Sequence, residues 1–193
     1  VPILDYFLFR SSRMGRVMLN IGGIANLTVL PIGCTIDEVS AFDTGPGNML
    51  IDALTERVTN GENQFDTDGL IASSGQVSDK LISHLMQHPF LQVPPPKSTG
   101  REMFGRELME EILEWNISGP NLVRTVTEFT VNSILDALSR FVFSACRIDE
   151  IIVSGGGTEN SLLMDLLFNA LPDIQVITID KLGIPSEAKE AVA

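Results

Sequence analysis

The sequence predicts an α/β fold built on a five-stranded mixed sheet, and three observations lead there. Three short apolar stretches follow one another closely between residues 16 and 43, near enough to form an antiparallel meander. Helical periodicity then dominates a long central stretch. A strand–helix–strand pattern closes the reading between Glu150 and Thr178, with the spacing of a parallel pair.

The elements follow in order. Arg16–Asn20 (RVMLN) reads as a buried strand, Ile21-Gly22-Gly23 as a tight turn, and Ala25–Leu30 as a second strand ended by Pro31 and Gly33. Glu38–Asp43 is the third strand. It runs into Asp43-Thr44 and a turn, Gly45-Pro46-Gly47, through which no regular element is expected to continue. Asn48 precedes a helix, Met49–Val58, with Asp52 facing away from its apolar side. Leu70–Ser73 is a short helical piece. Ser78–Gln87 has a Ser cap and apolar Leu81, Ile82, Leu85 and Met86 at helical spacing. Val93–Pro96 is extended and proline-stiffened. Glu102–Trp115 and Leu122–Phe143 are helices, the second the longest. Glu150–Val153 is a strand, Gly155-Gly156-Gly157 a turn, Asn160–Leu171 a helix and Ile174–Thr178 a strand, while Glu187–Ala193 reads as the start of a final helix.

This order is not that of a fully wound parallel sheet. It is that of a ribonuclease-H-like half, with three meander strands, two parallel strands and helices on both faces. That unit repeats in the actin (actin-like ATPase), sugar-kinase and heat-shock chaperone superfamily. Residues 1–193 then form one domain, with a mainly helical insertion over about 60–116, longer than a crossover helix requires.

Composition narrows the function. The chain has 193 residues, 44% of them hydrophobic and 20% charged, ordinary for a folded domain with a substantial core. The formal net charge of -12 argues against nucleic acid and against anionic lipid as partners. No run approaches the roughly 18 apolar residues of a membrane span. The opening VPILDYFLFR lacks the basic region and cleavage site of a signal peptide. Two cysteines, Cys34 and Cys146, without a CxxC, fit a reducing, cytoplasmic location rather than a disulfide framework or zinc site. The start at Val1, inside what reads as an element, leads to the expectation of a fragment.

Several stretches carry candidate chemistry. Asp43 ends a strand beside a glycine-rich turn and a helix start, a setting in which amides hold a phosphate while the carboxylate handles a proton or metal; an ordinary capping corner is the alternative. In NIGGIAN (Asn20–Asn26), Gly22 and Gly23 bring bare backbone to a hairpin tip, for a phosphate or simply for the turn. In SGGGTEN (Ser154–Asn160), three glycines exceed what a turn needs, which favours a ligand lying on backbone. This is neither the dinucleotide fingerprint nor a P-loop. In PPPKSTGRE (Pro94–Glu102), Lys97 and Arg101 could hold an anion, and a rigid linker is an equal alternative. His84 and His88 stand at i, i+4 without a third ligand and read as surface or lid residues rather than a metal site. No Ser-His-Asp or Cys-His arrangement is visible.

NIGGIANLTVLP (Asn20–Pro31), AFDTGPGNMLID (Ala41–Asp52), PPPKSTGREMF (Pro94–Phe104), TVTEFTVNSI (Thr125–Ile134), VSGGGTEN (Val153–Asn160) and GIPSEAKEAVA (Gly183–Ala193) together resemble one family, the 1,6-anhydro-N-acetylmuramic acid kinases of peptidoglycan recycling. The resemblance implies an enzyme that opens the anhydro sugar with water and phosphorylates its 6-oxygen from ATP, with Mg²⁺ offsetting charge. It implies Asp43 as general base and Glu190 as a second active-site acid. Gly22 and Gly23 would lie at the ATP phosphates, Gly155, Gly156, Gly157 and Asn160 beside the nucleoside, and Asp43, Gly45 and Asn48 against the sugar. No protein metal ligand is assigned. It further implies a homodimeric full-length enzyme whose N-terminal domain is absent here, leaving a C-terminal portion with little activity of its own. A different sugar or acetate-type kinase, or a non-catalytic nucleotide-binding or assembly module of the same fold, are the competing expectations.

Overall fold

A computed structural model describes residues 2–183. Its centre is a five-stranded sheet in the order β3-β2-β1-β4-β5. The strands are β1 (Arg16–Ile21), β2 (Ile24–Leu30), β3 (Ser40–Pro46), β4 (Glu150–Ser154) and β5 (Gln175–Thr178). β1 to β3 pair antiparallel, while β4 lies parallel to β1 and β5 parallel to β4. The expected meander and parallel pair are both present. It follows that β1, β3, β4 and β5 all run the same way, so their carboxyl ends share one edge of the sheet.

Alternation along the strands divides the core in two. Val17, Leu19, Ile21, Leu27, Val29, Ile151 and Val153 belong to the large cluster, whereas Met18, Leu30, Ile152 and Ile177 belong to a smaller one, as a period of two requires. The large cluster packs on α2 (Asn48–Val58), α8 (Gly119–Ala137) and α9 (Ser161–Ala170). The smaller one is covered by α1 (Pro2–Phe9), through Tyr6 and Phe9, a helix the sequence reading did not assign.

Between α2 and α8 lie α3 (Leu70–Ser73), α4 (Asp79–Leu85), α5 (Pro89–Gln92), α6 (Arg101–Phe104) and α7 (Arg106–Leu113). Their buried Ala72, Leu81, Leu85, Phe90, Leu91, Phe104, Leu108 and Ile112 join the large cluster, so this segment shares the core of the sheet.

Four boundaries differ from expectation. The helix expected over Glu102–Trp115 is broken into α6 and α7 at Gly105, where a Cβ would lie 2.1 Å from the Arg101 carbonyl oxygen. The helix expected over Leu122–Phe143 begins at Gly119, with a proline in its first turn, and continues past Ala137 as a π-helical stretch, Leu138–Val142. β3 does not stop at Asp43; it continues through Gly45 and Pro46, which pair with Ala25 and Ile24. Pro46 is tolerated because β3 is an edge strand and its missing N–H leaves no inner ladder bond unmade. Glu38, expected in the strand, ends a 3-10 turn, Ile36–Glu38, and its carboxylate accepts from the Thr35 backbone N–H at 2.8 Å.

Candidate functional site

The carboxyl edge of the sheet gathers the glycine turns. The β1–β2 hairpin tip (Gly22, Gly23), the end of β3 (Gly45, Gly47) and the turn after β4 (Gly155–Gly157) meet there. Gly47 and Met49 donate their backbone N–H to Gly23 O at 2.9 and 3.2 Å, and Asn48 donates to Gly22 O at 2.8 Å. These first amides of α2 are therefore spent on the hairpin, and they do not form the open phosphate cradle the sequence suggested. The free donors lie opposite: the amides of Gly22, Gly23 and Gly156 donate to nothing among the described residues.

The crowding around each glycine separates structural from open positions. A Cβ on Gly47 would sit 2.2 Å from Gly22 O, one on Gly155 2.6 Å from Ile21 O, and one on Gly157 2.4 Å from the Ile21 Cγ2. Gly155 also holds φ +87°, a region costly for other residues. These glycines are explained by the fold alone. Gly22 and Gly23 are not, because their nearest neighbours would be 3.7 and 3.8 Å away. Gly156 has only the Asn48 Nδ2, at 3.4 Å.

Asp43 lies on β3 opposite Asn26 and is half-buried. Three residues, Thr44, Gly45 and Pro46, separate it from Gly47, so the two Cα atoms are at most roughly 13 Å apart by strand rise. Its backbone N–H donates to Lys97 O at 3.0 Å, and its Oδ2 accepts the Thr99 N–H at 2.8 Å. Its Oδ1 has no partner among the described residues and is not sealed from solvent. Burial pushes the carboxyl above the usual carboxylate range, against the Thr99 hydrogen bond and the Lys97 charge, which pull it down. The register shift beside Asp43 leaves Thr44 turned inward, with its Oγ1 donating to Ala25 O at 3.2 Å. Gly45 packs its backbone on Ser133 and Leu91.

Asn48 bridges the turns: its Nδ2 donates to Ile21 O at 3.5 Å and faces Gly156. It lines a cavity of about 310 Å³ with Asp52, Asp66, Asp68, Gly156 and Asn160. Several of these side chains are already engaged. Asn160 Oδ1 caps α9 by accepting from Leu163 N at 3.0 Å, Asp66 accepts from Ile71 and Ala72, and Asp68 accepts from Ser161 Oγ. Asp52 is not engaged by any of the described residues, and burial pushes its carboxyl up to about 6. It also borders a second cavity of about 690 Å³ with Gly23, Met49, Glu56, Arg101 and Phe104. The sequence places Asp52 away from the apolar side of α2 and gives it no role; its place one helical turn after Asn48 is the available signal.

Of the other residues singled out, Glu190 lies outside the described residues, as does the final helix expected over Glu187–Ala193. Lys97 is not open to a solution anion. It is 8% exposed, and its Nζ donates to Phe90 O at 3.1 Å. Arg101 does face the larger cavity. His84 contacts Glu111 at 2.5 Å, and His88 Nδ1 accepts from Phe90 N at 3.3 Å. No group of three or more His, Cys, Asp or Glu that could hold a metal occurs among the described residues.

The sheet order, the helices against it and the glycine turns on one edge define the class. Solved xylulose kinases share the fold: that from Lactobacillus acidophilus superposes with a TM-score of 0.56 over 84% of this chain and 34% of its own, at 12% identity. That from Rhodospirillum rubrum gives 0.53 over 86% and 35%, at 13% identity. The fold is that of the sugar kinases and actin-like ATPases. Sequence similarity is narrower. The model of the anhydro-N-acetylmuramic acid kinase family matches residues 1–193, and the chain belongs to that family. The anhydro-N-acetylmuramic acid kinases of Caldanaerobacter subterraneus subsp. tengcongensis and Bacillus thuringiensis subsp. konkukian are 41% and 43% identical to it over its full length. That of Clostridioides difficile is 37% identical. The chain spans about half the length of these curated relatives.

Proposed function

We propose that this chain is the C-terminal half of an ATP-dependent kinase that opens 1,6-anhydro-N-acetylmuramic acid with water and phosphorylates the released 6-oxygen, yielding N-acetylmuramic acid 6-phosphate and ADP. The observation that carries the reading is Asp43, held at one carboxylate oxygen and open at the other, on a strand whose carboxyl end reaches the edge that carries three uncrowded glycine amides. Ligands of open α/β sheets bind outside the carboxyl ends of the strands.

In this reading Asp43 is the general base. Thr99 fixes Oδ2, so Oδ1 is the oxygen that takes a proton from water. The water oxygen bonds to the anomeric carbon, the bond from that carbon to the 6-oxygen breaks, and the 6-oxygen attacks the γ-phosphorus of ATP as ADP leaves. The amides of Gly22 and Gly23 would donate to phosphate oxygens, as bare backbone does in anion nests. The nucleoside would lie along Gly156 and Asn160, bordering the cavity that Asn48 and Asp52 share. Mg²⁺ is the ion expected from the family resemblance and would offset phosphate charge, but the described residues offer it no cluster of three or more ligands.

Asp43→Asn in the full-length enzyme tests the assignment. Turnover should fall by about 10²–10⁴-fold, the range for a lost general base, while nucleotide affinity stays near wild type. Equal loss of binding and turnover would make Asp43 a structural residue instead.

A further inference from the structure

We propose that Lys97 is a positioning residue for Asp43: its buried ammonium pins the Pro94–Thr99 strap whose backbone grips that carboxylate residue from two sides. The inference rests on the assignment of Asp43 as general base and extends it to a motif that this assignment leaves without a role.

The strap lies against the free edge of the sheet. β3 is an edge strand, so its outward backbone groups need partners from elsewhere. Asp43 N–H donates to Lys97 O, and two residues further along the strap Thr99 N–H donates to Asp43 Oδ2. The two bonds fix both the backbone and the side chain of Asp43 from one segment. What holds that segment is the Lys97 side chain, which runs inward rather than into water. Its Nζ lies 4.5 Å from the Phe90 ring centroid and 5.4 Å from that of Phe141, and donates to Phe90 O. Phe141 in turn meets Phe42, the neighbour of Asp43, edge-on at 6.1 Å. Lys97 is thus packed on the ring that meets Phe42, the strand neighbour of Asp43.

A lysine is a costly way to fill this space. Removing an ammonium from water is unfavourable unless its charge is used, and one carbonyl with two ring faces is a modest return. A methionine would cover the same rings without the charge. The cation is explained if its field acts on Asp43, and it does act in the required direction, opposing the effect of burial. The other charged groups around the pair are Asp136 and Arg140, which pair with each other at 3.1 Å and act on Lys97 in opposite directions. Asn26, opposite Asp43 on β2, is uncharged.

The test is the pH dependence of kcat/KM for the full-length enzyme with Lys97→Met, Lys97→Arg and Asp43→Asn. In Lys97→Met the acid limb should move to higher pH by about one unit, the lower end of the range for losing a nearby opposite charge. Nucleotide affinity should be unchanged, and Lys97→Arg should return the limb toward wild type. If Lys97→Met fails to melt cooperatively, Lys97→Gln, which keeps a donor for Phe90 O, is read in its place. An acid limb unmoved in a folded neutral variant would overturn the proposal, as would a collapse of both neutral variants, which would make Lys97 a folding requirement. Turnover surviving in Asp43→Asn would instead remove the assignment of the base, so the two failures are distinguishable.

Discussion

Asp52 lies on α2 between two cavities, where burial pushes its carboxyl up to about 6. A carboxyl raised in this way favours the folded state in its protonated form. Its contribution is present below the unfolded value near 4 and is lost as pH rises through about 6. Asp52→Asn should therefore stabilise the protein at pH 8 by about 1 kcal/mol, after discounting for screening on its open side. That is a gain of about 2–4 °C in melting temperature, shrinking toward nothing at pH 4. Melting curves at the two pH values check this, and an equal shift at both would exclude burial as the cause. Asp43 and Asp52 show what was legible at this scale. Asp43 stands out because Gly45-Pro46-Gly47 follows it in the sequence, although Gly45 and Pro46 extend β3 rather than ending it. Asp52 does not, because its desolvation comes from Gly156 and the 65–68 turn, distant in sequence and joined only by the fold.

At the scale of elements the glycine turns separate into those the fold requires and those it leaves free. A Cβ on Gly157 would press on Ile21 Cγ2 and one on Gly155 on Ile21 O, with φ +87° added at the latter. Gly157→Ala and Gly155→Ala should each destabilise by about 1–3 kcal/mol, the range for overpacking. Gly22→Ala meets nothing within 3.7 Å and should leave stability within about 0.5 kcal/mol of wild type. If its amide approaches a phosphate, the added methyl should still weaken ATP affinity several-fold. Calorimetric binding beside thermal melts distinguishes these cases, and unaltered affinity in Gly22→Ala would remove the phosphate role. In the sequence all these glycines look alike, because crowding by Ile21 arises only once β4 lies parallel to β1. The extension of β3 was hidden for a related reason: Gly45-Pro46 reads as a turn locally, and only pairing with Ile24 and Ala25 on an edge strand makes it part of the sheet.

The whole molecule is organised by strand direction. With β1, β3, β4 and β5 parallel to one another, the glycine turns that follow β1, β3 and β4 fall on one edge of the sheet. Both faces of the sheet are covered, one by α1 and the other by α2, α8 and α9. The order of strands and helices was legible because periodicity and turn residues are local signals. The covering role of α1 was not, because its helix leaves Ile3, Phe7 and Leu8 exposed and so lacks a polar face to reveal its period. The segment between α2 and α8 feeds its apolar residues into the same core as the sheet, so the chain should unfold as one cooperative unit. Folding and catalysis nevertheless make different demands. The chain spans about half the length of its curated relatives, and on the reading proposed here it contributes one wall of the cleft. Aligning water, sugar and ATP takes both walls, and loss of that alignment costs at least about 10³-fold in rate. The isolated chain should accordingly melt in a single transition yet phosphorylate anhydro-N-acetylmuramic acid at least about 10³-fold more slowly than the full-length enzyme. Coupled measurement of ADP release beside a calorimetric melt checks both halves of this expectation. Enzyme-like turnover by the chain alone would mean that this chain holds a complete active site.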